Sequence, residues 1–256
     1  RKERDARRAL LDAYEAADRA SSAKTDFLSK MSHDIRTRLN AIIGMTAIAG
    51  TRLEDPEGVA ECLGKISSAS RHLLSLVNEV LDMSRIEAGT MSFNEENFNL
   101  FDMVDNLVRM TASEAEGKRQ NVEIMAHDLV HENVMGDIMR IQQALMGVLT
   151  NSIRYTPEEG DIGISIVEKP STQSHTGCYE FIIQDNGIGM SEEFLERIFE
   201  PFERAEDVRI NKINGTGLGL TISRNIIQMM GGDIKIESEQ GIGTIVTVTI
   251  PLKYRE

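Results

Sequence analysis

Basic residues, cysteines and long apolar runs are all scarce in this chain. The 28 Lys and Arg face 41 Asp and Glu, a net charge of −13 over 256 residues. That balance argues against non-specific binding to nucleic acid or to an anionic membrane surface. It leaves room for a nucleotide, because a phosphate site needs only local donors. The two cysteines, Cys62 and Cys178, fall in unrelated segments. They offer neither metal spacing nor a disulfide framework, which suits a reducing cytosol. Helix packing accounts for the first and strand packing for the second. No apolar run approaches the roughly 20 residues of a membrane span. What is present, 41% hydrophobic and 27% charged residues, describes a soluble globular chain of one large domain or two ordinary ones. The chain starts at Arg1, which fits a cytoplasmic piece excised from a longer protein. Any membrane attachment would then lie in a sensor upstream.

Proline is missing from the first 52 residues or so, where Ala, Arg, Glu and Leu abound. Leu10, Tyr14, Ala17, Ser21, Lys24, Leu28 and Met31 follow alternating steps of four and three, a heptad-like seam with a polar middle. The stripe strengthens through Ile35, Leu39 and Ile42, so one long helix is expected. Pro56, with acids around it, breaks the pattern and opens a second helix that runs to about Ala88. Ile66, Leu73, Val77, Val80 or Leu81, and Ile86 form its expected apolar face. Gly89 supplies the stop. One such hairpin cannot cover both stripes, and two hairpins packed as a four-helix dimer would.

After about residue 95 the periodicity becomes mixed. Helices are expected over 101–117, 137–155 and 219–230. Strands are expected over 122–125, 161–168, 178–184, 233–237 and 243–250. Mixed helices and strands point to an α+β sandwich.

His33 lies two positions from both Met31 and Ile35, and at about 100° per residue it faces away from their stripe. A neutral imidazole there is a nucleophile if one nitrogen is held and the other free. Asp34 can orient the ring or accept its proton. Thr37, one turn on, can position a water. An ordinary exposed histidine would look the same, and that bland reading stands for His72, His127, His131 and His175.

Asp185-Asn186-Gly187-Ile188-Gly189-Met190 follows an apolar strand. A carboxylate at a strand end can accept from an exocyclic amine such as that of adenine, and the glycines permit close backbone approach. A plain turn fits equally well. Gly215-Thr216-Gly217-Leu218-Gly219-Leu220 opens a helix, whose free amides and dipole favour phosphate. It follows no strand and lacks a Walker lysine, so neither a Rossmann nor a P-loop reading applies. Asn151 offers an oxygen to Mg²⁺ and Arg154 offers donors to phosphate, although taken alone the segment reads better as a last helix turn running into Pro157, with Arg154 complementing the dipole. Phe199 and Phe202 precede a polar stretch and can anchor a lid, serve the core, or both. The segment 238–244 reads as a hairpin.

In this order and spacing the segments resemble a sensor histidine kinase of two-component signalling, over about residues 22 to 252. The His33 segment is similar to the H box, and Asn151 with Arg154-Tyr155-Thr156 to the N box. Residues 185–189 resemble the first glycine box, 199–202 the F box and 215–219 the second glycine box. The resemblance implies a coiled-coil-like signalling helix over 1–21. A dimerisation and histidine-phosphotransfer domain would follow over 22–92, forming a dimeric four-helix bundle. Residues 96–256 would be a catalytic α/β sandwich of the Bergerat type, shared with gyrase and Hsp90-type ATPases. It implies His33 as phosphoacceptor, Asp34 as its acid-base partner and Thr37 as the residue used to dephosphorylate a regulator. Nucleotide contacts would come from Asn151, Arg154, Tyr155, Asp185, Gly187, Gly189, Met190, Gly215, Thr216, Gly217, Leu218 and Gly219. Asn151 would also serve Mg²⁺. ATP and Mg²⁺ are the implied ligands, with a second copy of the chain and a response regulator receiver domain as partners.

Two positions depart from the family pattern. Arg38 stands where a proline is usual, which should straighten the helix and add a cation near the phosphate site. Gly147 stands where a first N-box Asn is usual, and Gly inside a helix costs about 1 kcal/mol relative to Ala. These changes favour one alternative, a nucleotide-binding scaffold with weakened kinase activity. A gyrase- or Hsp90-like ATPase is a third reading, opposed by the long helices that carry His33.

Overall fold

A computed structural model describes residues 14, 29, 31–127, 129–171, 173–201 and 217–254. The chain divides into two compact units, the first ending at Ser84 and the second starting at Arg85. Most of the heptad-like seam before Met31 lies outside the described residues.

The first unit is helical. Helix α1 covers 31–51 among the described residues and runs without a break through Arg38. A turn tied by the Arg52 and Asp55 amides leads to α2, Pro56–Glu87. Asp55 caps α2 by accepting from the Gly58 amide at 3.0 Å. Its C-terminus closes as a Schellman motif: Thr90 N–H donates to the Arg85 carbonyl, and Gly89 takes φ +63°. The buried stripe differs in detail from the expected one. Cys62 and Leu76 are its most buried apolar members, whereas Val77 and Leu81 are exposed along with Leu63 and Leu74. The apolar face of α2 is wider than one neighbouring helix can cover, so a flank stays open in the single chain.

The second unit is a helix-on-sheet sandwich. Its strands are β1 Glu96–Asn99, β2 Asn121–His127, β3 Asn133–Gly136, β4 Asp161–Lys169, β5 Thr176–Asp185, β6 Asp233–Glu239 and β7 Gly243–Tyr254. They form one sheet in the order β1-β3-β7-β5-β4-β2, and β6 pairs with β7. Among the described residues only β2 and β4 pair in parallel; the other pairs are antiparallel. Helices α3 Leu100–Gly117, α4 Ile138–Tyr155 and α6 Gly219–Met229 carry the apolar faces that meet the sheet; α5 is the short turn Glu192–Leu195.

Alternation drives the packing. Ile162, Ile164 and Ile166 of β4 are buried at every second position, as are Tyr179, Phe181 and Ile183 of β5. On the helices, Leu100 and Met103 of α3, Ile141 and Leu145 of α4, and Ile226 of α6 are buried as well. Asn99 caps α3 and Asp137 caps α4 through their side-chain oxygens. The sequence missed β1 and β3, each four residues long. Strands that short carry too few alternations to stand out from loop. Among the described residues no helix is long and apolar enough to cross a membrane.

Candidate functional site

The second unit gathers the strand-end carboxylate and the helix α4 residues at one place. Because β5 buries every second residue, Asp185 points to the helix side and is only 7% exposed. Its carboxylate accepts from the Gly187 amide at 3.0 Å. The Ser152 hydroxyl and the Thr244 amide also bond it. Burial raises its pKa above the ordinary aspartate value, and these three bonds oppose the rise. Ser152 lies next to Asn151, so α4 presents Asn151 beside the carboxylate's anchor. Asn151, Arg154 and Tyr155 are each half-buried.

The loop after Asp185 is pinned on every side. Asn186 bridges to Asp161, accepting from its amide at 2.9 Å and donating to its carboxylate at 3.1 Å. The Ile188 amide donates to the Tyr155 carbonyl, the Ile188 carbonyl accepts from Gly241, and the Met190 amide donates to Ser238 Oγ. A Cβ at Gly187 would meet the Tyr155 carbonyl oxygen at 2.9 Å. Gly189 has φ +62°, and a Cβ there would run into the Glu239 backbone. Both glycines are therefore required by close backbone approach. The β6–β7 hairpin, expected from the sequence simply as a hairpin, is also the platform on which this loop rests. Nothing short of the strand pairing in space reveals that role.

Of the second glycine segment, Gly215 and Thr216 lie outside the described residues, as do Phe202 and the polar stretch after it. Gly217 has φ +75° and precedes Leu218, the N-cap of α6. Gly219 is the first residue of α6, and the Leu218 side chain is fully buried in the core. Its side chain therefore packs the sandwich, and only its backbone remains to face a ligand. Phe199 is half-buried; the Arg224 guanidinium lies 4.6 Å from its ring centroid, and Thr221 Oγ1 donates to its carbonyl. Phe199 thus anchors its turn to α6.

Gly147 sits at the crossing of α4 and α6. A Cβ there would lie 2.5 Å from Ser223 Oγ and 3.2 Å from the Gly219 carbonyl oxygen. Ser223 Oγ fills that space and bonds the carbonyls of Ala144 at 2.8 Å and Gly219 at 2.9 Å. The glycine is thus a packing device as well as a helix-propensity cost.

The arrangement suits a purine nucleotide. A buried carboxylate offers an acceptor for an exocyclic amine, in a loop that its two glycines let pack closely against Tyr155 and the β6–β7 hairpin. Among the described residues no group of three or more His, Cys, Asp or Glu is placed to hold a metal ion. A Mg²⁺ ion held by Asn151 and a nucleotide's own phosphates fits this donor set, since Mg²⁺ is commonly bound by few protein ligands, waters and phosphates.

In the first unit, the His33 side chain is 76% exposed, and its Nδ1 lies 3.5 Å from Asp34 Oδ1. Thr37 Oγ1 donates to the His33 carbonyl at 2.9 Å, the usual back-bond of a helical threonine. Arg38 is half-buried, with its Nε buried and unpartnered among the described residues.

Both units resemble known proteins. Residues 136–254 match the model of the histidine kinase-, DNA gyrase B- and HSP90-like ATPases, and residues 23–89 match the His Kinase A phospho-acceptor domain. The sensory/regulatory protein RpfC of Xanthomonas campestris is 33% identical over 249 residues, covering 97% of this chain and 34% of that protein. This chain thus spans about a third of that relative's length. Full-length ShkA in complex with AMPPNP is similar in fold, with a TM-score of 0.66 at 24% identity, over 89% of this chain and 46% of that one. Histidine kinase ThkA in complex with the response regulator protein TrrA gives 0.60 at 23% identity, over 88% and 61%.

Proposed function

The chain belongs to the sensor histidine kinases, and from that premise we propose that it transfers the γ-phosphoryl group of ATP to His33 and then to a response regulator aspartate. The observation that carries the reading is the pairing of two features. One is an exposed helical histidine beside a carboxylate. The other is a buried strand-end carboxylate set among glycines. The domain limits that go with it are 22–92 for the phosphoacceptor part and 96–256 for the nucleotide part.

Asp34 holds the proton on His33 Nδ1, which leaves the Nε2 lone pair free. Nε2 attacks the γ-phosphorus in line, the N–P bond forms as the bond to the β–γ bridging oxygen breaks, and ADP leaves. The ring becomes cationic as it attacks, and Asp34 stabilises that charge and accepts the Nδ1 proton. Asp185 orients the adenine through its amine; Asn151 and Arg154 position the phosphates. A Mg²⁺ ion, held with help from Asn151, neutralises charge on the phosphates when bound. Positioning and charge neutralisation supply most of such catalysis.

The partners follow from surface chemistry. Leu63, Leu74, Val77 and Leu81 form an exposed apolar flank on α2, which a second copy of the chain would cover as a four-helix bundle. His33 stays on the solvated side for a regulator's receiver domain. ThkA, similar in fold, is seen with such a regulator. Thr37 would serve regulator dephosphorylation. Its proton goes to the His33 carbonyl, so it presents an acceptor oxygen to the attacking water.

Incubation with γ-labelled ATP and Mg²⁺ tests the reading. Label on the wild-type protein and none on His33→Gln is the expected result. Steady ATP turnover without protein labelling would instead support a gyrase- or Hsp90-like ATPase. Nucleotide binding with neither label nor turnover would favour the weakened scaffold.

A further inference from the structure

The last turn of α4 carries Asn151, Arg154 and Tyr155, and like every helix end it leaves its final carbonyls without intrahelical partners. Here one side chain takes most of them. Lys118, just past the end of α3, donates from Nζ to the carbonyls of Ile153 at 2.9 Å, Arg154 at 2.7 Å and Thr156 at 3.0 Å. An ammonium has three donors, and all three are used. The carbonyl that Lys118 skips, that of Tyr155, accepts from the Ile188 amide at 3.3 Å. Ile188 belongs to the loop between Gly187 and Gly189. One cation and one loop amide therefore complete the same four-carbonyl end.

The clasp is reinforced on both flanks. Gln120 Nε2 donates to the carbonyls of Ile153, Thr156 and Pro157. The Lys118 carbonyl accepts from the Glu159 amide at 2.9 Å. Arg119 and Glu159, paired at 3.1 Å, both hold left-handed backbone angles, φ 51° and 62°. Non-glycine residues keep such angles where the surroundings over-determine them. The positive charge also faces the negative end of the α4 dipole. Burial lowers the Lys118 pKa, with the Arg154 charge adding to the effect.

We propose that Lys118 is a positioning residue for nucleotide binding, fixing the α4 carboxyl end so that Asn151 and the Gly187–Gly189 loop are held in register. This rests on the nucleotide-site reading above. Lys118 has no direct contact with the ligand in this role. It acts through the carbonyl row and the Tyr155–Ile188 bond.

The test measures AMPPNP affinity, with Mg²⁺, by calorimetry, and amide exchange at Ile188 in nucleotide-free protein. Lys118→Met should weaken AMPPNP roughly tenfold or more, as expected when hydrogen bonds from a charged group are lost. It should also speed Ile188 exchange. Lys118→Arg, which keeps a cation with donors, should recover most of the affinity. Gln120→Met is a milder variant that removes the neutral half of the clasp, and about a threefold weakening is expected. Ile250→Val, a core truncation at the far end of β7 from the Asp185 pairing, serves as the control for general destabilisation. Unchanged affinity and unchanged Ile188 exchange in Lys118→Met overturn the inference. So does a loss of affinity that the control reproduces at an equal drop in Tm. Wild-type protein that binds no AMPPNP overturns the nucleotide reading itself, and this inference with it.

Discussion

Replacing Asp185 by Asn separates a ligand-binding carboxylate from a structural one. The side chain is nearly isosteric, so packing in a site 7% exposed is retained. What changes is charge. A hydrogen bond to a charged group contributes about 1.5–3 kcal/mol, so losing it to the adenine amine should weaken nucleotide binding roughly 10- to 150-fold. Folding should respond in the opposite sense. Burial penalises the Asp185 carboxylate, and a neutral amide removes that penalty while its oxygen can still accept from Gly187. Tm without nucleotide should therefore hold or rise. Were Asp185 merely structural, losing its charged bonds would cost a similar 1.5–3 kcal/mol and leave affinity intact. For a unit of this size that is a fall of roughly 3–12 °C. Calorimetric titration with AMPPNP and thermal unfolding on one preparation distinguish the cases. Affinity within twofold of wild type, or a loss matched by a large fall in Tm, refutes the reasoning.

Other perturbations follow from the same geometry. Gly147→Ala gains about 1 kcal/mol of helix propensity but crowds Ser223 Oγ and the Gly219 carbonyl, an overpacking cost of about 1–3 kcal/mol. Tm should fall slightly, and adding Ser223→Ala should recover it; a clear rise in the single variant would show that the α4–α6 crossing is loose. Burial alone would raise the Glu168 pKa, yet the His131 ring at 2.7 Å and the amides of His131 and Val130 outweigh it and hold the carboxylate down. A depressed carboxylate stabilises at pH above its unfolded value, and that contribution is lost as pH falls through its folded one. Glu168→Gln should therefore flatten the acid limb of a Tm-against-pH curve, and an unaltered limb would count against the pairing. The raised Asp185 pKa acts the other way on folding, its stabilisation lost as pH rises through the folded value, while AMPPNP affinity should fall as pH drops through it. Leu74→Glu on the open flank of α2 should leave a monomer by sedimentation; an intact dimer would place the interface elsewhere.

Long periodic elements were legible because burial there follows a simple repeat. The helix expected over 137–155, and the alternation of β4 and β5, could be placed from residues alone. The short strands β1 and β3 could not, since their pairing depends on partners far along the chain, Phe98 with Val134 and Val134 with Tyr254. The site followed the same division. Asp185 and its glycines announced themselves as carboxylate and turn chemistry, but Ser238 and Lys118 did not. A serine in a hairpin and a lysine after a helix are common, and they gain meaning only when folding sets them against Met190 and the α4 carbonyls. Gly147 read as a lost side chain in sequence, whereas in space Ser223 occupies the room it leaves.

The central claim is that His33 carries a phosphoryl group drawn from ATP. Its most direct test is to label the protein with γ-labelled ATP and Mg²⁺, follow the label's stability in acid and base, and map the modified residue by mass spectrometry. The account predicts an acid-labile, base-stable label at His33, absent from His33→Gln. An acid-stable label, a label on another residue, or a label that persists in His33→Gln would contradict it.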